Sequence, residues 1–131
     1  MTVLDQDALI RAAIQVRKNS YAPYSKFRVG AALLTGRGRI YTGCNVENHS
    51  YGMTVCAERN AVYKAVSEGE REFLAIAIAA DTEDPVLPCG ACMQVMAEFN
   101  PELKLILANC KGTTVELSLS DLFPSPFSMD E

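Results

Sequence analysis

Apolar positions in this chain follow two periods. Leu4, Ala8, Leu9, Ala12, Ala13 and Val16 fall on one helical face, which predicts a first helix from about Asp5 to Ser20. "YAPYSKF" then reads as a Pro-containing loop. "RVGAALLT" and "RIYTGCNV" are strand-like runs joined by "GRG", a β-hairpin by spacing and by its glycines. Polar, turn-rich "ENHSYGMT" reads as a loop. "CAERNAVYKAVSEG" returns to the helical period and stops at a glycine. "FLAIAIAAD" is nearly all apolar and of strand length, the mark of a strand buried on both faces. After the loop "TEDPVLP", "CGACMQVMAEF" is a helix ended by Asn100-Pro101. "LKLILANC" and "TTVELSL" are strands turned by "KG", "SLSDLF" is a short capped helix, and "PSPFSMDE" is a tail.

The predicted order is α-β-β-α-β-α-β-β-α. Each middle helix joins two strands and should make a right-handed parallel crossover. The gap before the last strand is too short for a crossover, so that strand should run antiparallel to the one before it. The expected fold class is α/β, a three-layer α/β/α arrangement with a mixed five-stranded sheet.

Composition narrows the function classes. A length of 131 residues predicts one domain, 1–131, with enough chain to bury a core. A net charge of −4, with Lys and Arg scattered, argues against a nucleic acid polymer as partner. No run approaches the ~20 apolar residues of a membrane span, and "MTVLDQDALI" lacks the basic start of a signal peptide. The expectation is a cytoplasmic protein with no membrane partner. Five cysteines, an odd number, favour metal or catalytic use over a disulfide framework.

Two segments carry the candidate chemistry. "TVCAERNAV" puts Cys56 at the start of one helix, with Glu58 two residues on. "LPCGACMQV" puts Cys89 and Cys92 at the start of the next. If both helices begin at the same sheet edge, three sulfurs meet at one point. Zinc suits such a point, because three protein ligands leave a fourth position for water. Helix N-termini also stabilise thiolates. Three thiolates and one Zn²⁺ leave a single negative charge, so a nearby cation should help, and Arg59 is adjacent. Glu58 would sit beside the metal's water and move protons to a substrate nitrogen. Each piece alone is weak. A lone C-x-x-C also suits a redox pair or a core, and a lone Glu at a helix start also suits a solvated surface. The combination of C-x-E, a gap of ~30 residues and P-C-x-x-C is specific, and is described for zinc nucleobase deaminases.

The chain resembles the small, all-cysteine cytidine deaminases, from "YAPYSKFRVGAALL" through "GCNVENHSYGMTVCAER" and "PCGAC" to "LFPSPF". The resemblance implies zinc-dependent hydrolysis of cytidine and 2′-deoxycytidine to the uridines plus ammonia, in pyrimidine salvage. It implies one zinc per subunit and a homotetramer with active sites at subunit contacts. By position it implies Glu58 as the proton carrier and the Ala57 N–H as a partner for the base O2. Asn45 and Glu47 correspond to ribose-binding residues and Phe27 to the aromatic against the base. Tyr51 and Phe127 match positions that reach a neighbouring subunit's site. Cys44 and Cys110 are expected to be buried, unliganded thiols. His49, the only histidine, is expected to be an exposed loop residue, and its position matches one at the family's subunit contact, where a smaller residue is common. Met93 stands where the family usually has Arg. Two other readings keep part of this pattern: a deaminase of an aminonucleoside antibiotic of the blasticidin type, and a non-catalytic zinc-stabilised binding module.

Overall fold

The computed structural model describes residues 5–129. Leu4, counted above on the first helical face, lies outside them, as do the last two residues of the tail. Helix α1 (Gln6–Arg17) opens at Asp5, whose Oδ1 accepts the Ala8 N–H at 3.0 Å. Such a cap is worth ~1 kcal/mol. The helix ends three residues before the expected boundary. The N–H groups of Lys18, Asn19 and Ser20 bond back to Gln15, Val16 and Arg17, three residues behind each, which tightens the chain into a turn.

Strands β1 (Val29–Thr35) and β2 (Ile40–Cys44) form the predicted hairpin, with Leu33 opposite Tyr41. Helix α2 (Ala57–Ser67) leads to β3 (Phe73–Ala80), and α3 (Gly90–Phe99) leads to β4 (Lys104–Asn109). Strand β5 (Thr114–Ser118) turns back antiparallel to β4, as its short connection requires, and α4 (Leu119–Leu122) closes the regular structure. A single turn of 3-10 helix, Tyr51–Met53, lies within the stretch expected to be loop.

The sheet order is β2-β1-β3-β4-β5. Its one parallel pair is β3 with β4, across α3. Strands β2 and β3 also point the same way, as the α2 crossover demands, but β1 lies between them and pairs antiparallel with both. The hairpin explains this order. Having folded back on β2, β1 still has a free edge, and β3 takes it.

The two faces of the sheet differ in side-chain size. Leu33, Phe73, Ile76, Ile78, Leu105 and Leu107 fill the face under α2 and α3. Ala32, Ala75, Ala77 and Ala79 dominate the face under α1, together with Leu9 and Ala13 of that helix. Strand β3 is therefore buried on both faces, as its apolar run predicted. Two glycines set how closely the helices approach. A Cβ on Gly43 would lie 2.4 Å from the Ala61 nitrogen and 2.6 Å from the Ala57 oxygen, so only glycine admits α2 onto β2. A Cβ on Gly30 would meet the Ala13 oxygen of α1 at 1.9 Å.

Candidate metal centre and adjoining cavities

The end of β2 and the start of α2 are tied together. Asn60 donates from Nδ2 to the Cys44 carbonyl at 2.8 Å, and Val46 and Val55 pair through two backbone hydrogen bonds of 3.0 Å. The polar loop between them is thereby closed, and Cys56 becomes the N-cap of α2. Cys89 caps α3, its sulfur accepting the Cys92 N–H at 3.3 Å. Both helices begin at the ends of connections that leave the sheet at the same edge, β2 to α2 and β3 to α3.

The three sulfurs converge as the spacing predicted. Cys56 and Cys89 are 3.6 Å apart at Sγ, Cys89 and Cys92 are 3.0 Å apart, and all three atoms lie within 4.8 Å of one another. Tetrahedral zinc with thiolates at ~2.3 Å needs sulfurs ~3.8 Å apart, so this set fits with minor rotamer adjustment. The cluster holds three protein ligands among the described residues. Cys44, Cys110 and His49 are not part of it. A structural site usually closes with four, whereas three leave a coordination position for a small molecule. Cys44, the last residue of β2, and Cys110, the turn residue that follows β4, are half-buried rather than buried.

The electrostatics follow from this packing. The Cys56 thiol is lowered to about 5, first by its hydrogen bond with Cys92 and also by the Arg59 guanidinium, whose Nη2 is 3.7 Å from the sulfur. Cys92, buried and sharing a proton with Cys56, is pushed up. Arg59 is held more firmly protonated by the same contact with Cys56. Glu58 is only 4% exposed, and burial together with the neighbouring Cys56 charge raises its carboxyl to about 7. A carboxyl poised near neutrality can both take and return a proton.

Glu58, Cys56 and Cys89 line a cavity of about 200 Å³ together with Phe27, Asn45 and Ala57. Six of the site residues read from the sequence thus share one wall system, with Cys92 buried behind it. Glu47 and Tyr51 line a neighbouring cavity of about 380 Å³ with Tyr24 and Ser25, and Thr54 borders both. Asn45 and Glu47 already hold backbone. The Asn45 amide donates to the Phe27 carbonyl at 2.8 Å and accepts the Val29 N–H at 2.9 Å. The Glu47 carboxylate accepts the N–H groups of Tyr24 and Ser25 and the Ser25 hydroxyl, which hold it below the usual carboxylate range. Phe127 reaches neither cavity. Its backbone pairs with the Gln94 side chain on α3, and the residue is 74% exposed.

Val86, Leu87, Thr54 and Ser25 were not read as site residues from the sequence. Val86 and Leu87 had a signal, since they are apolar in a loop that ends on Cys89. Thr54 and Ser25 had none, because small hydroxyl residues in loops are common.

Comparison with known proteins agrees with this geometry. The family model for the cytidine and deoxycytidylate deaminase zinc-binding region matches residues 4–108. A cytidine deaminase of Halalkalibacterium halodurans is 51% identical over 129 residues, covering 98% of each chain. The crystal structure of a cytidine deaminase from Burkholderia pseudomallei superimposes with a TM-score of 0.92 at 49% identity, over 95% of this chain and all of that one. A blasticidin-S deaminase of Bacillus cereus is more distant, 30% identical over 112 residues and 79% of each chain.

Proposed function

Since the chain belongs to the cytidine and deoxycytidylate deaminase family, we propose that it hydrolyses cytidine and 2′-deoxycytidine to the corresponding uridines and ammonia. The observation that carries this reading is the convergence of Cys56, Cys89 and Cys92 beside a buried Glu58 on one cavity wall. Those three cysteines hold one zinc ion per subunit, and when bound it supplies Lewis acidity that makes water a nucleophile near neutral pH.

The chain's own groups do the rest. Glu58 takes the proton of the water that adds at C4 and gives it to the pyrimidine N3. It then takes the remaining proton from the C4 hydroxyl and delivers it to the amine that leaves as ammonia, so water is consumed and the C4–N bond is replaced by a carbonyl. Burial suits Glu58 to both transfers by keeping its proton affinity near neutrality. Ala57 is the first residue of α2, where N–H groups lack helical partners, and its N–H donates to the base O2. Phe27 packs against the base, and Asn45 and Glu47 meet the ribose while holding the 24–29 segment in place. Arg59 offsets the thiolate charge. Substrate enters the smaller cavity with its base and occupies the larger with its sugar.

Residues 1–131 act as one deaminase domain, and the protein serves pyrimidine salvage in the cytoplasm. It assembles as a homotetramer in which Tyr51 and Phe127 meet a neighbouring copy's site. Their exposure, 78% and 74%, supports that role, because large apolar side chains gain most from being covered. Light scattering on the eluting protein tests the assembly. Purified zinc-loaded protein should bleach the cytidine absorbance band and release ammonia in equal amount. Glu58→Gln should keep its zinc and lose that activity by about 10²- to 10⁴-fold. Zinc-loaded wild type that releases no ammonia from either nucleoside overturns the reading.

A further inference from the structure

One side chain outside the site ties two connections together. Asn109, the last residue of β4, is 2% exposed. Its Oδ1 accepts the N–H groups of Lys111 and Thr113, each at 2.9 Å, and so shapes the turn into β5. Both of these bonds end on the oxygen, which fixes the amide's orientation and turns Nδ2 to the Glu83 carbonyl, to which it donates at 2.7 Å. Glu83 lies in the β3–α3 connection, which supplies Val86 and Leu87 to the smaller cavity and ends on Cys89. Among the described residues, the polar links from residues 82–88 to other elements all end on Glu83. They are this hydrogen bond and an ion pair from Lys111 Nζ to the Glu83 Oε2 at 3.0 Å. Both partners of the ion pair are exposed, and such pairs contribute little.

We infer that Asn109 is a positioning residue for the base wall of the smaller cavity, setting through Glu83 where Val86 and Leu87 stand. This deepens the deaminase reading and rests on it. What lies between anchor and wall is stiff. Pro85 has its φ fixed by its ring, and Asp84 before it is confined to extended conformations. Leu87 is confined in the same way by Pro88. A shift at Glu83 therefore reaches Val86 and Leu87 rather than being absorbed on the way. Val86 also packs on the core under α2 and α3, but apolar packing is non-directional and does not set where its backbone runs. Cys89 is held separately, as the cap of α3. Loss of the Asn109 donor should therefore weaken the hold on the base and leave the metal centre in place.

The test compares zinc-loaded wild type with Asn109→Asp, Pro85→Gly and Lys111→Ala. Asn109→Asp keeps the oxygen that holds the turn and removes the donor to Glu83. Pro85→Gly keeps that donor and loosens the link beyond it. The measurements are kcat and KM for cytidine, the calorimetric Kd for uridine, zinc content, and the rate at which a glutamate-specific protease cuts after Glu83. Asn109→Asp should raise KM and the uridine Kd together by about threefold to tenfold, the range of one hydrogen bond. Pro85→Gly should raise both in the same direction. In each, kcat should stay within about threefold of wild type with zinc content unchanged, a split that general destabilisation would not produce. Cutting after Glu83 should quicken several-fold in Asn109→Asp. Lys111→Ala should keep both constants within about twofold of wild type. Unchanged KM and Kd in Asn109→Asp overturn the inference. So does an equal effect in Lys111→Ala, or a fall in kcat that tracks zinc loss. If Asn109→Asp does not fold, Pro85→Gly decides by the same constants. A wild type that binds uridine yet deaminates no cytidine overturns the deaminase reading itself, while the uridine constants and cutting rates still decide whether Asn109 sets the wall.

Discussion

The Arg59 guanidinium reaches back along the start of α2 and places Nη2 3.7 Å from the Cys56 sulfur. The same guanidinium has its Nε buried without a hydrogen-bond partner, a cost that the thiolate contact offsets. With three thiolates around one divalent ion, the centre is left with net negative charge, and this cation draws part of it off. Arg59→Ala should lower kcat by about tenfold, ~1.4 kcal/mol of lost stabilisation, while zinc content falls much less. Metal analysis alongside initial rates checks this, and an unchanged rate would remove Arg59 from the charge balance.

Met93 directly follows the metal-facing Cys92, and the structure shows what it does there. It is half-buried and packs against the large core cluster under α2 and α3. Met93→Arg should therefore leave zinc content alone and change kcat by no more than about threefold. It should also lower stability by ~1–3 kcal/mol, because a charge enters partly apolar packing. Thermal melts with metal analysis separate these effects. Loss of zinc would show that position 93 is packed tightly against the centre.

Gly43 is remote from the chemistry in sequence, yet it decides where the chemistry stands. Alanine there would press its Cβ into the backbone of α2 at Ala57 and Ala61, the turn that carries Cys56 and Glu58. Backbone cannot step aside as a side chain does. Gly43→Ala should cost at least ~1–3 kcal/mol of stability and reduce both zinc affinity and kcat. A variant with wild-type melting temperature and full activity would show that α2 is free to shift.

The lowered Cys56 thiol makes a pH-dependent prediction for protein stripped of metal by a chelator. A thiol at about 5 is already ionised at pH 6, and its thiolate fraction falls only as pH drops through 5. Iodoacetamide at pH 6 should label Cys56, label it several-fold more slowly at pH 4, and be blocked when zinc is restored. Peptide mapping by mass spectrometry reads the site. Labelling that begins only above pH 8 would mean that Cys92 and Arg59 do not stabilise the thiolate.

The sequence by itself determined the elements and the donor set. Period-3.6 and continuous apolar runs placed the four α-helices and five strands, because those periods reflect which side chains must leave water. Ligand spacing named Cys56, Cys89, Cys92 and Glu58, because two short motifs at helix starts carry their chemistry locally. Tertiary structure alone decided that β1 lies between β2 and β3, since the choice of strand edge depends on pairings far apart in the chain. It alone divided the site into two cavities bordered by Thr54, and set His49 on Tyr24 and Met93 against the core. Those relationships join residues whose sequence neighbours say nothing of each other. They exist only once Gly43 admits α2 to the sheet and the two helix starts are brought to one edge.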